Sequence, residues 1–206
     1  MEIRPYVIAV GDEVLDDLRD RLTRTRWPEE ELVEDWSQGI PLCYVQEMCD
    51  YWAKSYEWRE REAALNRFDH FTSVIEDCEI HYVHQRSPHQ DATPLLLSHG
   101  WPGSIVEFNK VIEPLTNPTA FGGRAEDAFH VICPSLPGYG FSANPPTTGW
   151  GVEKIADVFT ELATGLGYEE FGAQGGDWGS AITTAIGGRH PEHCLGIHLN
   201  MVMRGK

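Results

Sequence analysis

Between Asp12 and Arg26 the apolar residues fall at Leu15, Leu18 and Leu22, a spacing that predicts an amphipathic helix. Acidic side chains crowd its first turn and Arg21, Arg24 and Arg26 its last, which suits the helix dipole. Trp27-Pro28 is expected to stop it. After an acidic, Trp-containing linker, Pro41 fits the first position of a second helix whose apolar stripe is Val45, Met48, Trp52 and Tyr56. A third helix is expected over Glu57 to Phe68. Aromatic residues at helical spacing ordinarily pack into a core, so the stripe is expected to face inward rather than to form a ligand box.

Beyond residue 75 the periodicity shortens. Apolar runs at Ile80 to Val83, Pro94 to Ser98, Phe129 to Cys133, Phe171 to Gln174 and Leu195 to Leu199 are separated by Gly/Pro loops and predict buried strands. Between them Val152, Ile155, Phe159 and Leu162 mark a helix ended by Gly165 and Gly167, and Ser180 to Ile186 a second one ended by Gly187-Gly188. Alternating strands and helices imply an α/β fold with a mostly parallel sheet, preceded by a helical arm over residues 1–75.

Charge then narrows the partners. The chain of 206 residues holds 16 Lys and Arg against 32 Asp and Glu, a formal charge of -16. Residues 1–70 hold 9 basic and 17 acidic side chains and the remainder 7 and 15, so each part is -8 and the acid is a solvated surface rather than a tail. Such a surface repels phosphate backbones, and no nucleic-acid partner is expected. Met1 to Val10 is too short and too polar at its flanks for a secretory segment. No run of eighteen apolar residues predicts a transmembrane helix. Cys43, Cys49, Cys78, Cys133 and Cys194 are scattered without a C-x-x-C pair, which fits reduced thiols and a cytoplasmic protein.

Chemistry concentrates in Phe171-Gly-Ala-Gln-Gly-Gly-Asp177-Trp178-Gly-Ser180, an apolar strand entering a glycine cluster and then a helix of small residues. This is the layout of a nucleophile elbow, in which a strained turn lifts one reactive side chain above a sheet. Asp177 occupies the position that esterases give to Ser. A carboxylate is already anionic at neutral pH and suits displacement at a saturated carbon, leaving an alkyl ester for water to cleave. The competing reading of Asp177 is a helix N-cap. A dinucleotide phosphate loop does not fit, because the stretch lacks G-x-G-x-x-G and places an acid where a pyrophosphate would approach. His99-Gly100-Trp101-Pro102-Gly103-Ser104 follows an earlier strand, so the backbone amides of Trp101 and Trp178 are candidates for an oxyanion hole.

With Pro134-Ser-Leu-Pro-Gly-Tyr-Gly-Phe-Ser142 added, these motifs make the chain resemble the epoxide hydrolase family of the α/β-hydrolase superfamily, in its microsomal-type branch. Leu15-Asp-Asp-Leu-Arg-Asp-Arg-Leu22, Arg24-Thr-Arg-Trp-Pro28, Trp52-Ala53 and Trp58-Arg59 are similar to that branch's N-terminal module, which would run on to about residue 113. The resemblance implies that Asp177 opens a small apolar epoxide toward a vicinal diol, that Trp101 and Trp178 lend oxyanion amides, and that no cofactor or metal takes part. His99 is expected to brace its loop and Tyr139 to form pocket wall. The family's lid tyrosines, water-activating His and orienting acid follow the strand that is here Leu195 to Leu199. Residues 76–206 therefore read as an incomplete α/β-hydrolase core, unable to turn over alone.

No resident imidazole reads as a substitute base. His198 alternates with apolar neighbours as an enclosed sheet residue would. His81 and His84 point to opposite faces of their strand, which argues against a metal shared with His89 and Asp91. A haloalkane dehalogenase-like hydrolase is the alternative enzyme. From another class, a non-catalytic interaction protein would self-associate through an exposed sheet edge.

Overall fold

The computed structural model describes residues 1–202. In chain order its regular elements are β1 (Arg4–Tyr6), α1 (Asp12–Thr23), α2 (Leu42–Lys54), α3 (Trp58–Leu65), β2 (His70–Ile75), β3 (Cys78–Gln85), β4 (Thr93–Ser98), α4 (Ile112–Thr116), β5 (Phe129–Pro134), α5 (Val152–Gly165), β6 (Phe171–Gly175), α6 (Trp178–Arg189) and β7 (Cys194–Leu199). They form two compact units, Ile8–Ala64 and the rest.

In the helical unit the ladder Asp16–Arg19, Asp17–Arg21 and Asp20–Arg24 runs along α1, and Leu15 is its buried residue. Glu62 on α3 ties this unit together. Its carboxylate accepts the Val10 amide at 2.7 Å, the Trp58 indole N–H at 3.1 Å and Arg59 at 2.7 Å. The apolar stripe of α2 departs from the expectation of a core. Met48, Tyr51 and Trp52 are each close to half exposed and line a groove of about 490 Å³ with Leu18, Val45, Tyr56 and Trp58. Three short helices offer too little opposing surface to enclose so many aromatic rings.

The second unit is built on a seven-stranded mixed sheet ordered β1-β2-β3-β5-β4-β6-β7. The β5-β4-β6-β7 side is parallel and the β1-β2-β3 side antiparallel. Side chains on the strands alternate into two layers. One face buries Ile80, Tyr82, Leu96 and Ile132 with Phe159 and Leu162 of α5 and Ile182 and Ile186 of α6. The other buries Val83, Leu97 and Val131 with Ile105, Phe108 and Ile112. Each such side chain contributes about 1.5–3 kcal/mol on leaving water.

Helix α6 corrects one expected boundary: Gly187-Gly188 does not end it, and it continues to Arg189. A Cβ on Gly187 would press on Ile197 of β7, so the glycine serves close helix–strand packing there. Arg189 anchors the final turn to Asp157 at 2.8 and 2.9 Å.

Register places the loops that matter. In the parallel ladders Ser98 lies opposite Gly175 and Gly175 opposite Leu199. The segments that leave β4 and β6 therefore emerge side by side at the carboxyl edge of the sheet, where open α/β folds bind ligands.

Candidate active site

Asp177 sits between β6 and α6 with φ 52° and ψ −127°, a left-handed backbone that an L side chain adopts only under strain. A tight turn demands small neighbours, and the sequence supplies them. A Cβ on Gly179 would fall on the Ser98 carbonyl oxygen, and one on Gly100 would run into the Asp177 carboxylate. These two glycines let the β4 and β6 loops close on each other.

The Trp101 amide donates to Asp177 Oδ1 at 2.7 Å. The amides of Trp178 and Trp101, in that order, hold the carboxyl below the usual carboxylate range, against a smaller opposing effect of burial. Among the described residues Asp177 makes no side-chain cap bond to α6, and its positive φ is not the extended backbone of an N-cap.

His99 is buried, and both ring nitrogens are engaged. Nε2 accepts the Leu136 amide at 3.1 Å and Nδ1 donates to the Gly100 carbonyl at 3.0 Å. A backbone amide can only donate and a carbonyl only accept, so the ring is the neutral Nδ1–H tautomer. Burial pushes its pKa down, with the Gly100 bond opposing. Tyr139 meets His99 edge-on, with ring centroids 6.0 Å apart. With Leu136, Pro137, Trp150, Val152 and Trp178 it lines an apolar cavity of about 270 Å³. Trp101 and Trp178 are exposed, at 63% and 53%.

The remaining histidines lie elsewhere. His81 contacts His70 and Ser135, whereas His84 meets Tyr168 at 2.9 Å. His89 faces Thr119 at 3.3 Å. His198 is on β7 as expected but exposed rather than enclosed, and lines a groove of about 550 Å³ with Leu95, Leu97, Phe108 and Gln174. Among the described residues its strand has a neighbour on one side only. Sequence reasoning missed the link from Leu136 to His99, because it depends on a backbone amide that leaves no residue-type signal.

A strained Asp elbow between a parallel sheet and a small-residue helix, with the Trp101 amide on its Oδ1, is the arrangement of an α/β-hydrolase core. Comparison with known proteins agrees. Residues 3–108 match the family profile for the epoxide hydrolase N terminus, and residues 93–203 that for the alpha/beta hydrolase fold. A protein of Stigmatella aurantiaca that bears an epoxide hydrolase name is 54% identical over 198 residues, spanning 96% of this chain and 45% of its own length. Epoxide hydrolase 1 of Sus scrofa is 38% identical over 205 residues, spanning 98% of this chain and 45% of its own. The structure of Aspergillus niger epoxide hydrolase superimposes with a TM-score of 0.87 at 34% identity, covering 100% of this chain and 54% of that one. The chain belongs to the epoxide hydrolase family. It spans about half the length of the relatives it matches.

Proposed function

We propose that this chain carries the nucleophilic machinery of an epoxide hydrolase acting on small apolar epoxides. Asp177 Oδ2 attacks an oxirane carbon, a new C–O bond forms, the ring C–O bond breaks, and the departing oxygen takes a proton from water to become a hydroxyl. Oδ1 remains on the Trp101 amide, with the Trp178 amide also directed at the carboxyl. When water adds to the ester carbonyl, negative charge collects on Oδ1 where those amides already point. Collapse of that intermediate returns the carboxylate and releases a vicinal diol. The observation that carries the reading is the strained, uncapped Asp177 with Oδ1 on the Trp101 amide at 2.7 Å.

The cavity beside Trp178 supports an apolar substrate, since Leu136, Pro137, Trp150 and Val152 offer it no charged group. His99 has both nitrogens occupied and braces the loop, and Tyr139 is wall. Since His99 is thereby unsuited to activate water, the ester accumulates in this chain and diol release is slow. Treatment with styrene oxide followed by intact-mass measurement tests this. One adduct per chain, cleaved by mild alkali as an ester, is expected. No adduct, or an alkali-stable one, defeats the reading.

Among the described residues no helix is long and apolar enough to cross a membrane. Five unpaired thiols support a cytoplasmic setting. On β7, which has a single strand neighbour among the described residues, exposed Leu195 and Ile197 support pairing between copies. A monomer by sedimentation equilibrium at micromolar concentration would remove that last part.

A further inference from the structure

The reaction above leaves unused a chain of buried polar side chains beneath the Pro134–Ser142 loop. His70 of β2 and His81 of β3 are both buried, as is Ser135. His70 Nε2 lies 2.9 Å from the Leu65 carbonyl oxygen, His70 Nδ1 3.0 Å from His81 Nε2, and His81 Nδ1 2.9 Å from Ser135 Oγ. Tyr6 and Phe141 pack edge-on or tilted around this region, with ring centroids 5.0 and 5.2 Å from His81.

With both rings neutral, the protons along these side chains have one consistent arrangement. The Leu65 carbonyl only accepts, so His70 carries its proton on Nε2. Neutral His70 then accepts at Nδ1, which makes His81 Nε2 the donor. His81 Nδ1 is left as acceptor and takes the Ser135 hydroxyl proton. Only with both rings charged would two N–H groups face each other across the His70–His81 contact. Burial first, and the neighbouring His70 second, push His81 down to about 3. Burial likewise lowers His70.

The far end of the chain reaches the reacting carboxylate. The Ser135 amide donates to the His81 carbonyl at 2.8 Å, and its carbonyl accepts the Ser142 hydroxyl at 2.8 Å. Leu136, the next residue, donates to His99, which donates to Gly100, whose neighbour Trp101 donates to Asp177. We propose that His81 and His70 are positioning residues for the Asp177 site. The directional relay from Ser135 through His81 and His70 to Leu65 sets the Ser135-Leu136 peptide, and through His99 the Trp101 amide that holds Oδ1. This rests on the assignment of Asp177 as nucleophile. Small misplacements of a reacting group cost up to about a hundredfold. The backbone bond between Ser135 and His81 survives loss of the hydroxyl, so removing one link should slow esterification about tenfold.

The experiment combines imidazole nitrogen–proton correlation spectra of the 15N-labelled chain with rates of alkali-labile styrene oxide adduct formation. The spectra need no variant and should show His70 and His81 protonated on Nε2 and His99 on Nδ1. Ser135→Ala and His70→Gln should each esterify about tenfold more slowly. Ser73→Ala, which removes a buried hydroxyl bonded to Tyr82 at 3.0 Å on the same strand pair, should match the unaltered chain. A His81 proton on Nδ1, or Ser135→Ala and His70→Gln at the unaltered rate, overturns the relay while the nucleophile stands. An unaltered chain that forms no ester removes the nucleophile assignment and the relay with it.

Discussion

Glu62 in the helical unit and Asp177 at the sheet edge each accept a backbone amide at 2.7 Å, from Val10 and Trp101 respectively. In both the amides hold the carboxyl below its ordinary range. Glu62 is also wrapped by the Trp58 indole and the Arg59 guanidinium and is 9% exposed. Its bonding capacity is spent on joining the start of the unit to α3. Asp177 stands on a backbone of φ 52°, its carboxylate held by the amides of Trp178 and Trp101 and by no cation among the described residues. Similar electrostatics thus serve structure at Glu62 and, on the proposed function, chemistry at Asp177. What separates them is strain and access rather than acidity.

Replacement of each carboxylate tests that contrast most strongly. Asp177→Asn should abolish ester formation, at least a hundredfold slower by kinetic intact-mass measurement, while retaining the far-UV spectrum and melt. Retained esterification would break the contrast. Gly179→Ala should be the costliest change to the fold of the elbow, about 3 kcal/mol, because its Cβ meets the backbone carbonyls of Ser98 and His99. Chemical denaturation measures it, and a loss below about 1 kcal/mol would show that the two loops are not held so close.

Acid should act next. His81 is pushed down to about 3 and His84 to about 4, chiefly by burial. The unfolded chain titrates both near the ordinary imidazole value of 6.5. Between that value and about 4 it binds protons that the folded chain refuses. Stability therefore falls as pH falls, by about 1.4 kcal/mol per pH unit for each imidazole. The His84 contribution ends near 4 and that of His81 near 3. Denaturation at a series of pH values checks the slope, and a flat profile would place both imidazoles in water. The smallest effect is expected from Glu62→Gln, which should lower the melting temperature yet leave the rate of ester formation unchanged. A parallel loss of both would erase the distinction between the two carboxylates.

Much of the elbow was legible in the sequence, because its constraints act on residue type. Gly175, Gly176 and Gly179 have to be small and Asp177 has to be ionised, so composition alone marks the turn. Strand β2 was not legible. His70, Thr72 and Ser73 are buried there, and their polarity hides a strand that hydrogen bonds make affordable in the core. Strand β1 is three residues long, too short for periodicity to show. The α2 stripe misled in the other direction, since helical spacing reports a face and not what covers it.

Peptide mapping of the styrene oxide adduct tests the central claim most directly. Epoxides also alkylate exposed thiols, and Cys43 is exposed, so position and bond type decide the matter together. The account predicts an alkali-labile ester on Asp177, in the peptide that carries Gly175-Gly176-Asp177-Trp178. An adduct confined to Cys43 or another side chain, with Asp177 unmodified, would contradict it.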